Sequence, residues 1–119
     1  MSRYLDILTR VPTARKGGPA PRNADLSLEA MTRAAECLRT LAHPVRLRIV
    51  QLLLQDEYTV GELARACDVP SAVASGHLGI MRDRGLLGHK RRGRRTYYHI
   101  RQRAITGIMS CVESHFGSR

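Results

Sequence analysis

The chain has no tryptophan, one phenylalanine, and only two lysines, Lys16 and Lys90. With so few aromatic side chains, any core must be filled by aliphatic ones. No stretch approaches the run of about 18 apolar residues that a membrane helix needs. Met1–Arg10 also lacks the apolar centre of a signal peptide. Cysteine is sparse and odd in number: Cys37, Cys67 and Cys111 stand far apart. That pattern is not the disulfide framework of a small secreted protein and fits a reducing, cytoplasmic setting. The sequence shows no nucleophile elbow, phosphate-binding loop or paired catalytic carboxylates, so it is not expected to be an enzyme or to need a cofactor.

Acidic residues are also few. Ten Asp and Glu face twenty Lys and Arg, giving a net charge of +10. Eighteen of the twenty basic residues are arginine. The planar guanidinium suits bidentate contact with phosphate and guanine. A small, arginine-rich, basic chain points to a polyanion, most often nucleic acid.

At 119 residues, one domain is the default. Residues 1–26 read as an N-terminal arm or linker. SRYLDIL offers a short amphipathic turn, and the Pro- and Gly-rich TARKGGPAPRNAD follows it. Residues 27–116 form the expected domain. Leu28, Met31, Ala35 and Leu38 recur at helical spacing, with Asp25 or Ser27 as cap. Pro44 fits the first turn of a second helix, whose wide apolar arc marks it as central.

Thr59 and Glu62 have the spacing of a capping box and open a short third helix. Pro70 enforces a turn, and Ser71 is placed to cap a fourth helix that runs until Gly85. Two short helices joined by a tight turn make a helix-turn-helix, whose second helix enters the DNA major groove. That second helix opens PSAVASGHLG, and its small first half would let a backbone approach a groove closely. Leu78, Met81 and Leu86 anchor it to the core. Beyond it, Leu86 and Leu87 start one strand and Thr96–Ile100 form another. Arg91, Arg92, Arg94 and Arg95 flank Gly93 at the hairpin tip. A last helix spans about Gln102–Phe116.

The order is mainly α with a small β-hairpin wing: a winged helix-turn-helix of about five helices. Here the chain resembles the ArsR/SmtB family of bacterial transcriptional repressors. The resemblance rests on LRTLAHPVRLRIVQLL (38–53), TVGELA (59–64), SAVASGHLGIMRDRGLL (71–87) and KRRGRRTYYHI (90–100). It implies a homodimer formed through the first and last helices. It also implies binding to a double-stranded operator and release on a metal or oxidant signal. DNA contacts are expected from Ser71, Ser75, Gly76, His77 and Arg82 on the recognition helix, and from Arg91, Arg92, Arg94 and Arg95 on the wing.

The sequence departs from metal-sensing members of that family. Thr59, Val60, Gly61, Glu62 and Leu63 stand where a cysteine motif would lie. Gln102, Ala104 and Ser118 replace ligands of a second site, leaving only His115. Neither set supplies the three or four ligands zinc needs. Three readings of the cysteines stay open. Cys111 and His115 share a helix face and could hold a metal across a two-fold axis. Cys37 and Cys111 could form a redox switch at the dimer interface that the resemblance implies. All three could be buried apolar groups, with Cys67 the best case. A winged helix that docks protein or RNA is the alternative function. A protein-docking surface should carry apolar side chains on its helix and wing, where this sequence has Arg, Ser and Gly.

Overall fold

The structure is a computed structural model and describes residues 26–117. The N-terminal arm, with its expected amphipathic turn and Asp25, lies outside the described residues, as does Ser118. Helix α1 (Leu28–Leu41) leads into α2 (Pro44–Leu53), the two-residue strand β1 (Tyr58–Thr59), α3 (Val60–Cys67) and α4 (Ser71–Asp83). Strands β2 (Leu87–Arg92) and β3 (Arg95–Ile100) form the wing, and α5 (Ile105–Phe116) ends the domain.

Local chemistry explains most of these boundaries. Ser27 caps α1, its hydroxyl accepting from the Ala30 amide at 3.0 Å. Pro44 occupies the first turn of α2, where a missing N–H costs nothing. The cap of α2 is His43, whose Nδ1 accepts from the Val45 amide at 3.1 Å. The capping box of α3 is complete. Thr59 Oγ1 accepts from the Glu62 amide, and Glu62 Oε1 accepts from the Thr59 amide. Asp68 then turns the chain with a left-handed backbone at φ 56°, a conformation Asp tolerates better than most residues.

Three boundaries differ from the sequence reading. Ser71 is not a cap: the N-cap of α4 is Pro70, whose ring fixes an extended entry, and Ser71 is the first helical residue. Strand β2 begins at Leu87, because Leu86 still belongs to the close of α4. There the Gly85 amide bonds Arg82 O at 2.9 Å and the Leu86 amide bonds Met81 O at 3.0 Å. With Gly85 at φ 81°, this is a Schellman motif. Helix α5 starts at Ile105 rather than Gln102. The Arg101 and Gln102 amides are held by Leu86 O, at 2.9 and 3.1 Å, so the chain stays on the end of α4 before it coils.

The sheet order is β1-β3-β2, antiparallel throughout. Strand β1, absent from the sequence reading, pairs Tyr58 with Tyr98 and Thr59 with Tyr97. The hairpin closes with Arg92 opposite Arg95. Gly93, at φ 62°, leads its two-residue turn as a primed turn demands. The core lies between α2, α3, α4, the wing base and α5. Ile49, Val50, Leu63, Leu78, Met81, Leu87 and Ile105 are the largest of its completely enclosed side chains. The apolar face expected on α1 is present but uncovered: Leu28 is 82%, Met31 50% and Leu38 52% exposed. Phe116, at the end of α5, is 81% exposed.

Candidate nucleic-acid interface

Helix α4 has two faces. Ala74, Leu78 and Met81 are fully buried and fix the helix to the core. Ser71, Ala72, Val73, Ser75 and Gly76 are exposed on the other side. A Cβ added to Gly76 or to Gly79 would meet nothing within 4 Å. Each glycine costs about 1 kcal/mol in a helix interior relative to alanine. Packing among the described residues requires neither of them.

His77 sits at the edge of this surface, half-buried. Its Nδ1 accepts from Arg46 Nε at 3.0 Å, and its ring lies 4.4 Å from that of His43. Arg46 Nη1 donates to Thr40 O at 2.9 Å. Thr40 is buried, with its hydroxyl donating to Glu36 O and facing Arg84 Nη1 at 3.4 Å. The end of α1, the start of α2 and the middle of α4 are thus joined by one polar chain. Burial, then the neighbouring His43 ring and the Arg46 guanidinium, hold His77 below the usual histidine range. The sequence reading missed His43, Arg46 and Arg84. The one signal for His43 and Arg46 was the stretch LAHPVRLR, which reads equally well as helix punctuation; Arg84 stands apart, in MRDRGL.

The wing arginines are not equivalent. Arg92 is drawn back: it pairs with Glu57 at 2.8 Å, and its guanidinium lies 5.2 Å from the Tyr97 ring centre. Arg91 Nε donates to Gly93 O at 3.2 Å and braces the turn. Arg94 and Arg95 are exposed. Arg82, near the end of α4, pairs with the adjacent Asp83 at 3.4 Å. It borders a recess of about 430 Å³ at the wing base that includes His89, His99 and Arg101. A Cβ on Gly88 would lie 2.6 Å from His99 Nε2, so any larger residue there must displace that ring.

All three cysteines are free thiols. Cys37 is half-buried and lines a recess of about 300 Å³ with Arg33, Thr40 and Arg84. Cys111 is exposed, with Sγ 3.9 Å from His115 Nδ1. Burial pushes the Cys67 thiol up, partly offset by Arg48. Among the described residues, no three His, Cys, Asp or Glu side chains gather as a metal site. None of the described helices is long and apolar enough to cross a membrane.

A helix-turn-helix with a small-residue recognition surface, beside an arginine-tipped antiparallel wing, defines a winged-helix DNA-binding regulator. The comparisons agree. A helix-turn-helix domain family profile matches residues 41–88. The biofilm growth-associated repressor of Agrobacterium fabrum is 35% identical over 85 residues, covering 71% of this chain and 73% of that one. The transcriptional repressor SmtB of Mycobacterium tuberculosis is 34% identical over 99 residues, covering 83% and 69%. The homodimeric winged helix-turn-helix domain Mb0332 of Mycobacterium bovis superposes with a TM-score of 0.63 at 30% identity, covering 82% and 86%. The chain belongs to the ArsR/SmtB family of helix-turn-helix transcriptional repressors. It is a DNA-binding regulator of transcription and not an enzyme.

Proposed function

We propose that this chain acts in the cytoplasm as a dimeric, sequence-specific repressor, with residues 27–116 forming one domain for DNA binding and dimerisation. Helix α4 enters the major groove, and Arg94 and Arg95 on the wing reach the sugar–phosphate backbone. The observation that carries this reading is the small exposed face of α4. Gly76 and Gly79 cost helix stability and face open space, which suits close approach by a large external surface. The first turn of α4 also lacks a side-chain cap, leaving amides free for a phosphate. A protein-docking face would carry apolar bulk where Ser71, Ser75 and Gly76 stand. Dimerisation is supported by the uncovered apolar side chains of α1 and α5 and by the homodimeric relative.

Fluorescence anisotropy with duplexes selected from a random library tests this directly. Binding should weaken steeply with salt, because each neutralised phosphate releases counterion. Absent or salt-insensitive binding would refute it.

The signal is read as thiol oxidation at Cys37 and Cys111. Cys111 is exposed, and the half-buried Cys37 lines a recess with Arg33 and Arg84. Disulfide formation would pass two electrons and two protons to the oxidant. Peroxide should then weaken DNA binding, and Cys37→Ser or Cys111→Ser should abolish the response. A parental response in both variants would rule this signal out.

A further inference from the structure

We infer that Arg46 is a positioning residue for DNA recognition: by donating from Nε to Nδ1 of His77, it fixes that imidazole as the Nε2–H tautomer and so sets a single hydrogen-bond donor at the edge of α4. The inference rests on reading α4 as the recognition helix. Its geometry stands independently. A neutral imidazole has one N–H and one bare nitrogen, and its partners decide which is which. Arg46 can only donate, so Nδ1 is the bare nitrogen and Nε2 carries the proton.

Both ends of the bond are held. Arg46 is pinned through Nη1 to Thr40 O at 2.9 Å. The His77 ring is flanked by His43 at 4.4 Å. The His43 ring is itself fixed through Nδ1, which accepts from the Val45 amide. Among the described residues, the one buried side-chain nitrogen without a partner is His99 Nδ1. His77 is half-buried, and its Nε2 has no hydrogen-bond partner among them either.

This arrangement has a consequence for readout. The Ser71 and Ser75 hydroxyls are exposed on the same helix, and each can rotate to donate or accept. His77 is different, because its polarity is set before DNA arrives. An Nε2–H donor pairs with guanine O6 or N7, adenine N7, thymine O4 or a phosphate oxygen, and is refused by the cytosine amino group. Arg46 contributes to specificity without touching DNA.

The test uses the full chain, Arg46→Met, His77→Ala and the double variant. Methionine keeps much of the arginine stem and has no N–H to donate. Nitrogen-15 NMR of labelled histidine reads the tautomer. Anisotropy compares a library-selected duplex with a scrambled one. The parent should show a bare Nδ1 at His77, and Arg46→Met a mixture. Discrimination should fall about tenfold in Arg46→Met, the size of one lost base contact. Affinity for the scrambled duplex should stay within about twofold. With His77→Ala no imidazole remains to be oriented. In that background Arg46→Met should therefore change discrimination by less than about twofold.

Arg46→Met that keeps a single tautomer would overturn the inference. So would an equal loss in both backgrounds, which would mark Arg46 as merely structural. A parent that binds no duplex would instead sink the DNA-binding reading, and this role with it.

Discussion

At the scale of single residues, the glycines separate two kinds of constraint. Gly85 is required by the backbone: its φ of 81° closes the Schellman motif after α4. Gly85→Ala should cost about 1 kcal/mol in denaturant unfolding. Gly76 is helical and faces open space. Gly76→Ala should gain up to about 1 kcal/mol in the same assay, yet weaken binding to a selected duplex. A stabilised variant with full affinity would show that nothing approaches α4 closely.

His77 gives a pH dependence. Its folded-state affinity for protons is depressed, so the unfolded chain binds more protons over the acid side of the histidine range. The stabilising contribution is fully present above the unfolded value, about 6.5, and is lost as pH falls through the lower folded value. Melting temperature should therefore drop on acidification from pH 7 to about pH 5. His77→Gln should flatten that slope.

At the scale of elements, what was legible in the sequence depended on the range of the interaction. The capping box of Thr59 and Glu62, Pro44 at the start of α2 and Gly85 after α4 are local, and each follows from residues within one turn. Thr59→Ala should cost about 1 kcal/mol by thermal melt. Strand β1 was not legible. It has two residues and exists only because β3 offers Tyr97 and Tyr98 as partners.

The Arg46–His77 bond spans 31 positions, and no periodicity announces it. The wing showed the same limit. Four arginines in KRRGRRTYY look alike in sequence, but Glu57 and Tyr97 withdraw Arg92 from the tip. Arg94→Ala and Arg95→Ala should each lower the salt slope of DNA binding by about 1. Arg92→Ala should lower it less. Equal effects from all three would show that the Glu57 pair opens on binding.

At the scale of the whole molecule, charge and hydrophobicity divide the surface. The recognition helix and wing carry mostly small, polar and cationic groups, with Val73 and Ile80 the exposed aliphatic side chains of α4, while α1 exposes Leu28, Met31 and Leu38. Covering apolar area contributes roughly 25 cal/mol per Å², so these side chains stabilise the chain only once something covers them. A partner copy that does so binds the folded state and not the unfolded one. Stability then belongs partly to the solution rather than to the molecule. The melting temperature should climb with protein concentration, by mass action, and diluting the sample should lower it with no change in sequence, pH or salt.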